Sequence, residues 1–276
     1  VLEFGMACHG IVLCCWGLKT GAGLTPMAKP HARALLSSEK LVDLPHRAPW
    51  VWAVDALRFV LRPTPCPARH RWSLALLAAL ASIFLLDLAV DWLAWSAIAA
   101  WDAAAGFLPE PVAGEATLPE EVFYALLIAP LLEEAVYRGW LTGRVAALRF
   151  ALFGFAAEAC FIASLWVEED RADLVGLIGA AIAIAGFVQW VMTRERDTAV
   201  PAWFTRHFPW LVWASSLVFA LVHLGNHEPL ADPRGLLVLS PQLIGGLLLA
   251  YVRTRFGLRA AMLHHAAYNA LYLAME

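Results

Sequence analysis

Three clusters of polar side chains stand inside apolar stretches of this chain, each with the spacing of one helical turn. "LLEEAVYRGWL" places Glu133 and Glu134 beside Arg138. "VFALVHLGN" sets Phe219 four residues before His223, and "LHHAAYNAL" sets His265 four before Asn269. Residues four apart share a helix face, and glutamate N-terminal to arginine is the favourable order. Glu134 and Arg138 therefore neutralise each other as a clamp. Glu133, rotated about 100° round the helix, keeps a carboxyl without a local partner, and such a group in a low-dielectric site is suited to proton transfer. A carboxyl, two imidazoles and a carboxamide make a set that suits hydrolysis.

Each cluster also has a plainer reading. "EEAVYRG" serves equally as the end of a span whose charges snorkel to water. His223 reads as an interfacial histidine at a helix end, and His265 with Asn269 as a hydrogen bond between turns. His264 points away from the His265 face and reads as a packing or interface residue. What weighs toward function is that the clusters fall on three separate spans, since an ionisable group inside the membrane is a functional candidate by default.

The elements that must position these groups follow from composition. Of 276 residues 61% are hydrophobic and only 16% charged, with a mean hydropathy of +0.65. A soluble domain of this length needs a polar surface that this composition does not supply. The fold class is all-α, a multi-span transmembrane helical bundle. Seven spans are expected, at about 73–100, 120–143, 148–166, 172–193, 208–225, 236–253 and 257–275, from apolar runs near the roughly 20 residues that cross a bilayer. Residues 1–72 form a separate polar and interfacial region. Within it, 4–18 is a short apolar segment of either spanning or interfacial type, and "VWAVDALRFVL" (51–61) is an amphipathic helix on the membrane surface. Residues 73–276 form the bundle.

Loop charges give an internal check. Arg62, Arg69 and Arg71 precede the first span, and an acidic loop with Asp102, Glu110, Glu115, Glu120 and Glu121 follows it. Arg144 and Arg149 follow the second span, Arg194, Arg196 and Arg206 the fourth, and Arg253, Arg255 and Arg259 the sixth. Basic and basic-poor loops alternate as the positive-inside rule requires, with the first span starting in the cytoplasm. A net charge of −3 and the lack of a basic stripe exclude nucleic acid as an expected partner. The five cysteines have no metal-ligand spacing.

In order, "EEAVYR", "FALVH" and "HAAYN" match the EExxxR, FxxxH and HxxxN motifs, and over about 120–275 the chain resembles the CPBP (Abi) intramembrane protease family, which includes the CAAX prenyl endopeptidases. Tyr137 and Gly139, flanking the arginine, also look like the family. The resemblance implies an intramembrane endopeptidase of a bacterial cytoplasmic membrane, with the lipid bilayer and a peptide or lipidated-protein substrate as partners. It implies that Glu133 activates water, that Glu134, Arg138 and Phe219 support the site, and that His223, His265 and Asn269 complete it. No cofactor is expected. Zinc held by Glu133, His223 and His265 is the alternative, less favoured because structural and catalytic zinc sites want three tight ligands and a carboxamide is an unusual member. About 90 residues separate the first two motifs, room for two inserted spans, whereas the prenyl endopeptidases place them closer.

Other embedded polar groups keep rival functions in view. Asp87 and Asp91 are four apart in the first span. Asp91 reads as a headgroup-layer residue beside Trp92 and Trp95, and Asp87 as either cavity lining or not. Glu158 and Gln189 read as hydrogen-bond partners between helices. One rival is a proton-coupled transporter relaying through Asp87, Glu158, Glu133 and the histidines, although no internal repeat of the kind many carriers use is visible. The other is a family member without proteolytic activity, an immunity factor or scaffold.

Overall fold

The computed structural model describes residues 48–66, 70–112 and 117–275; the apolar segment 4–18 lies outside them. The described residues fold into eight helices, and Pro111 and His227 form an isolated bridge.

Helix α1 (Pro49–Leu61) starts with proline in its first turn, where the missing N–H costs nothing. Trp52, Ala56 and Phe59, spaced 4 and 3 apart, form its buried face, while Trp50, Leu57 and Leu61 are exposed on the other. Helix α2 (Leu74–Ala105) is capped by Ser73, whose Oγ accepts from the Leu76 amide at 3.2 Å. Its buried stripe runs Leu76, Leu80, Ile83, Asp87 and Asp91. The two aspartates thus continue an apolar face at helical spacing.

Residues 118–142 form one helix, α3, of uneven winding. Short α-helical pieces (Leu118–Phe123 and Ala129–Glu133) alternate with π-helical turns (Tyr124–Ile128 and Glu134–Arg138), and a 3-10 turn (Gly139–Thr142) ends it. Pro130, buried, cannot donate an amide to the ladder. Helices α4 (Val145–Ser164) and α5 (Glu169–Thr193) make a hairpin inserted between the first two motifs. Helix α6 (Ala202–Val222) is followed by a 3-10 turn at His223–Asn226.

Helix α7 (Ser240–Phe256), with a 3-10 lead-in at Pro233–Leu239, is the most enclosed element, burying Leu247 to Val252 without a break. It joins α8 (Leu258–Leu273) through Gly257 alone, at φ 99° and ψ 170°. That region of backbone space is essentially open to glycine only, so this tight joint depends on it. The core links α1, α2, α6 and α7, with the Phe59 ring 5.4 Å from that of Tyr251 and 6.4 Å from that of Phe208.

Among the described residues five helices are long and apolar enough to cross a membrane, at 74–105, 145–164, 170–193, 202–226 and 233–256. The other two segments expected to span are α3 and α8. One is broken by its π-helical turns; the other has 16 residues, about 24 Å of helix, short of a ~30 Å hydrocarbon core. These two carry the first and third polar clusters.

Candidate active site

The first cluster is built on the second π-helical turn. Arg138 Nη1 donates to Glu134 Oε1 at 2.7 Å, with both side chains almost fully buried (1% and 0% exposed), so the expected clamp forms. The guanidinium also lies on the Phe219 ring, its Cζ 3.9 Å from the centroid, a cation–π contact that strengthens when desolvated. Gly246 of α7 makes room on another side: a Cβ there would come within 3.1 Å of Arg138 Nη2 and 3.3 Å of Phe219. Leaving α-helical winding frees carbonyls at this point, and neighbouring helices satisfy them. Ser215 Oγ donates to Tyr137 O at 2.6 Å, and Arg253 donates to Arg138 O and Gly139 O, each at 3.1 Å. Arg253, expected as a basic flank at a span end, is thus turned inward.

His265 stands between the two glutamates. Its Nδ1 lies 3.1 Å from Glu134 Oε1 and its Nε2 3.7 Å from Glu133 Oε2. The first is a hydrogen bond; the second is an ion-pair distance too long for one. Glu133 is the more accessible carboxyl, with its side chain 27% exposed, yet its Oε2 is buried and accepts no protein hydrogen bond among the described residues.

His223 opens the turn after α6, at the end of its span as the sequence implies. Its Nδ1 is 2.7 Å from the Phe219 carbonyl. A carbonyl only accepts, so Nδ1 carries the proton and Nε2 of the neutral ring is left as an acceptor. The turn is held from outside: Val112 donates its amide to Asn226 O and Glu228 to Glu110 O, both at 2.9 Å. Phe219 unites the clusters, because its ring packs 4.7 Å from His223, 6.1 Å from His265 and 5.2 Å from Tyr137.

Asn269 donates from Nδ2 to the backbone carbonyl of Ala125 at 2.8 Å. In the π-helical register the Ala129 amide returns to Tyr124 O, and the next amide would belong to Pro130, which has none. The carboxamide replaces the donor that proline lacks.

Several contacts had no signal in the sequence. Tyr137 donates its hydroxyl to Glu158 of α4, so Glu158 is an inter-helix partner as expected, whereas Gln189 bonds Thr193 of its own helix. Asp91, read as a headgroup-layer residue, is 6% exposed and accepts from the Tyr268 hydroxyl. Asp87 pairs with His264. His227, four residues after His223, was missed altogether. Burial first, and the charge of His223 second, hold its imidazole below the usual histidine value.

Among the described residues no three His, Cys, Asp or Glu side chains converge as metal ligands.

Residues 116–271 match the family model described as type II CAAX prenyl endopeptidase Rce1-like. The match runs from the start of α3 almost to the end of α8 and contains all three clusters; α1 and α2 lie outside it. No curated protein and no solved structure matches the chain.

Proposed function

The chain belongs to the type II CAAX prenyl endopeptidase Rce1-like family and is an integral membrane protein, and on that premise we propose that it hydrolyses a peptide bond of a membrane-associated substrate by glutamate-activated water. The observation that carries this reading is the His265 imidazole set between a fully buried, arginine-paired glutamate and a partly accessible one. Glu134 is neutralised and used for support. Glu133 keeps an acceptor oxygen for chemistry.

In this mechanism Glu133 takes a proton from water while the water oxygen bonds to the peptide carbonyl carbon. His223, its tautomer set by the Phe219 carbonyl, offers Nε2 to orient that water. Charge collects on the carbonyl oxygen, where the remaining N–H of the Asn269 carboxamide donates, while His265, its Nδ1–H donating to Glu134, turns Nε2 as an acceptor toward the water at Glu133. Donors preorganised in this way contribute about 3–4 kcal/mol each. Collapse breaks the C–N bond, and Glu133 returns its proton to the departing amine. The substrate is a peptide or a lipidated protein reached from the bilayer.

The test is cleavage of a peptide library by purified protein in detergent, compared with Glu133→Gln. The wild type should cleave, and the variant, with amide in place of carboxylate, should fold normally and fall by at least 10²-fold, the lower end of what general acid–base groups contribute. Normal turnover by Glu133→Gln would remove the assignment of the base.

A further inference from the structure

His264 and His265 adjoin in the chain but serve opposite neighbours. His265 reaches the glutamates of α3, while His264 Nε2 lies 2.8 Å from Asp87 Oδ2 of α2, both side chains 1% exposed. One turn further on the division repeats. Asn269 donates to Ala125 of α3, and Tyr268 donates its hydroxyl to Asp91 of α2. Helix α8 therefore carries two polar rows, 264 and 268 toward α2 and 265 and 269 toward α3.

We propose that Asp87 and Asp91 are positioning residues of the active site, fixing the rotation and height of α8 so that His265 and Asn269 meet α3. The inference rests on the reading that His265 and Asn269 serve hydrolysis. Apolar packing is non-directional and leaves a helix free to turn or slide by small steps. Hydrogen bonds impose distance and angle, and buried polar pairs are best attested as devices that set register. Helix α8 needs such a device: it is short, and a single glycine ties it to α7. Two rungs one turn apart on α2, matched by two one turn apart on α8, define both its rotation and its height. The edge of Phe84 against the His264 ring, 5.5 Å between centroids, closes the third side. Because α2 precedes the matched family region, this support is supplied by the part of the chain that no motif covers.

The experiment uses the full chain labelled with 15N-histidine in detergent, together with peptide cleavage. His264→Gln and His265→Gln assign the two imidazoles among the nine histidines. Asp87→Asn should move the resonances of His265 as well as those of His264, and lower kcat at least 10-fold with KM changed less than 2-fold. Tyr268→Phe, which removes only a hydroxyl, should act in the same direction more weakly and serves if Asp87→Asn does not fold. Exchanging the partners, Asp87→His with His264→Asp, should recover at least half of the lost kcat. Unmoved His265 resonances in both Asp87→Asn and Tyr268→Phe would overturn the proposal, whether or not the wild type cleaves. A wild type that fails to cleave, with His265 still moved by Asp87→Asn, would instead overturn the hydrolase reading and leave the positioning role standing.

Discussion

Asn269 and Ala125 are 144 residues apart, yet the side chain of one completes the backbone of the other. The carboxamide gives the Ala125 carbonyl, at 2.8 Å, the hydrogen bond that Pro130 withholds. Asn269→Ala should therefore lower stability as well as activity, by about 1 kcal/mol and no more than roughly 1.7, the range for hydrogen bonds between membrane helices. Pro130→Ala restores an amide, so the double variant should lose less stability than Asn269→Ala alone. Thermal unfolding in detergent checks this. Additive losses would mean that proline and asparagine are not coupled.

Arg138 and Glu134 should behave as a unit. Removing one partner of a buried pair leaves an uncompensated charge and costs about 3–5 kcal/mol, whereas replacing both with apolar groups is often tolerated. Arg138→Met should accordingly accumulate poorly in membranes, and Glu134→Leu with Arg138→Met should recover much of the lost protein but none of the activity. Immunoblotting of membrane fractions distinguishes the three. A double variant as depleted as the single one would show that the site needs the charges for folding.

What the sequence made legible was what lies within one turn of helix. Glu134 with Arg138, and Phe219 with His223, could be paired by spacing because the helix itself sets their distance. The hydrophobic runs likewise foretold an all-helical membrane bundle, since a bilayer leaves few alternatives. The contacts that crossed helices were hidden. Asp87 with His264 and Ser215 with Tyr137 O depend on which helices become neighbours, and no local pattern encodes that. Arg253 was misread because loop charge reports sidedness but not whether an arginine at a span end turns inward. The π-helical turns left only one trace, Pro130, and the carbonyls they free are met by a carboxamide and a guanidinium that reach in from α8 and α7.

Gly246 should be the least replaceable small residue of α7. A Cβ there would stand 3.1 Å from Arg138 Nη2 and 3.3 Å from both Phe219 and Ser216. Arg138 cannot retreat, being held by Glu134 on one side and stacked on Phe219. Gly246→Ala should cost about 1 kcal/mol, and Gly246→Leu about 3 kcal/mol or more, by overpacking. At Gly245, one residue earlier, a Cβ would meet nothing within 4 Å, so Gly245→Ala should be nearly neutral. Equal effects at the two positions in thermal unfolding would contradict the crowding around Arg138.

His227 should make the protein acid-sensitive. Its imidazole is held below the ordinary histidine value by burial and then by the neighbouring His223, and its buried Nδ1 has no hydrogen-bond partner among the described residues. The unfolded chain takes up a proton near pH 6.5, before the folded protein does. Proton binding thus favours the unfolded state, so the stability present above about pH 6.5 declines as pH falls from there toward the lower folded value. His227→Gln removes the titration, and its thermal midpoint should fall less than that of the wild type between pH 7 and pH 5. Parallel stability curves for the two proteins would show that His227 does not titrate across this interval.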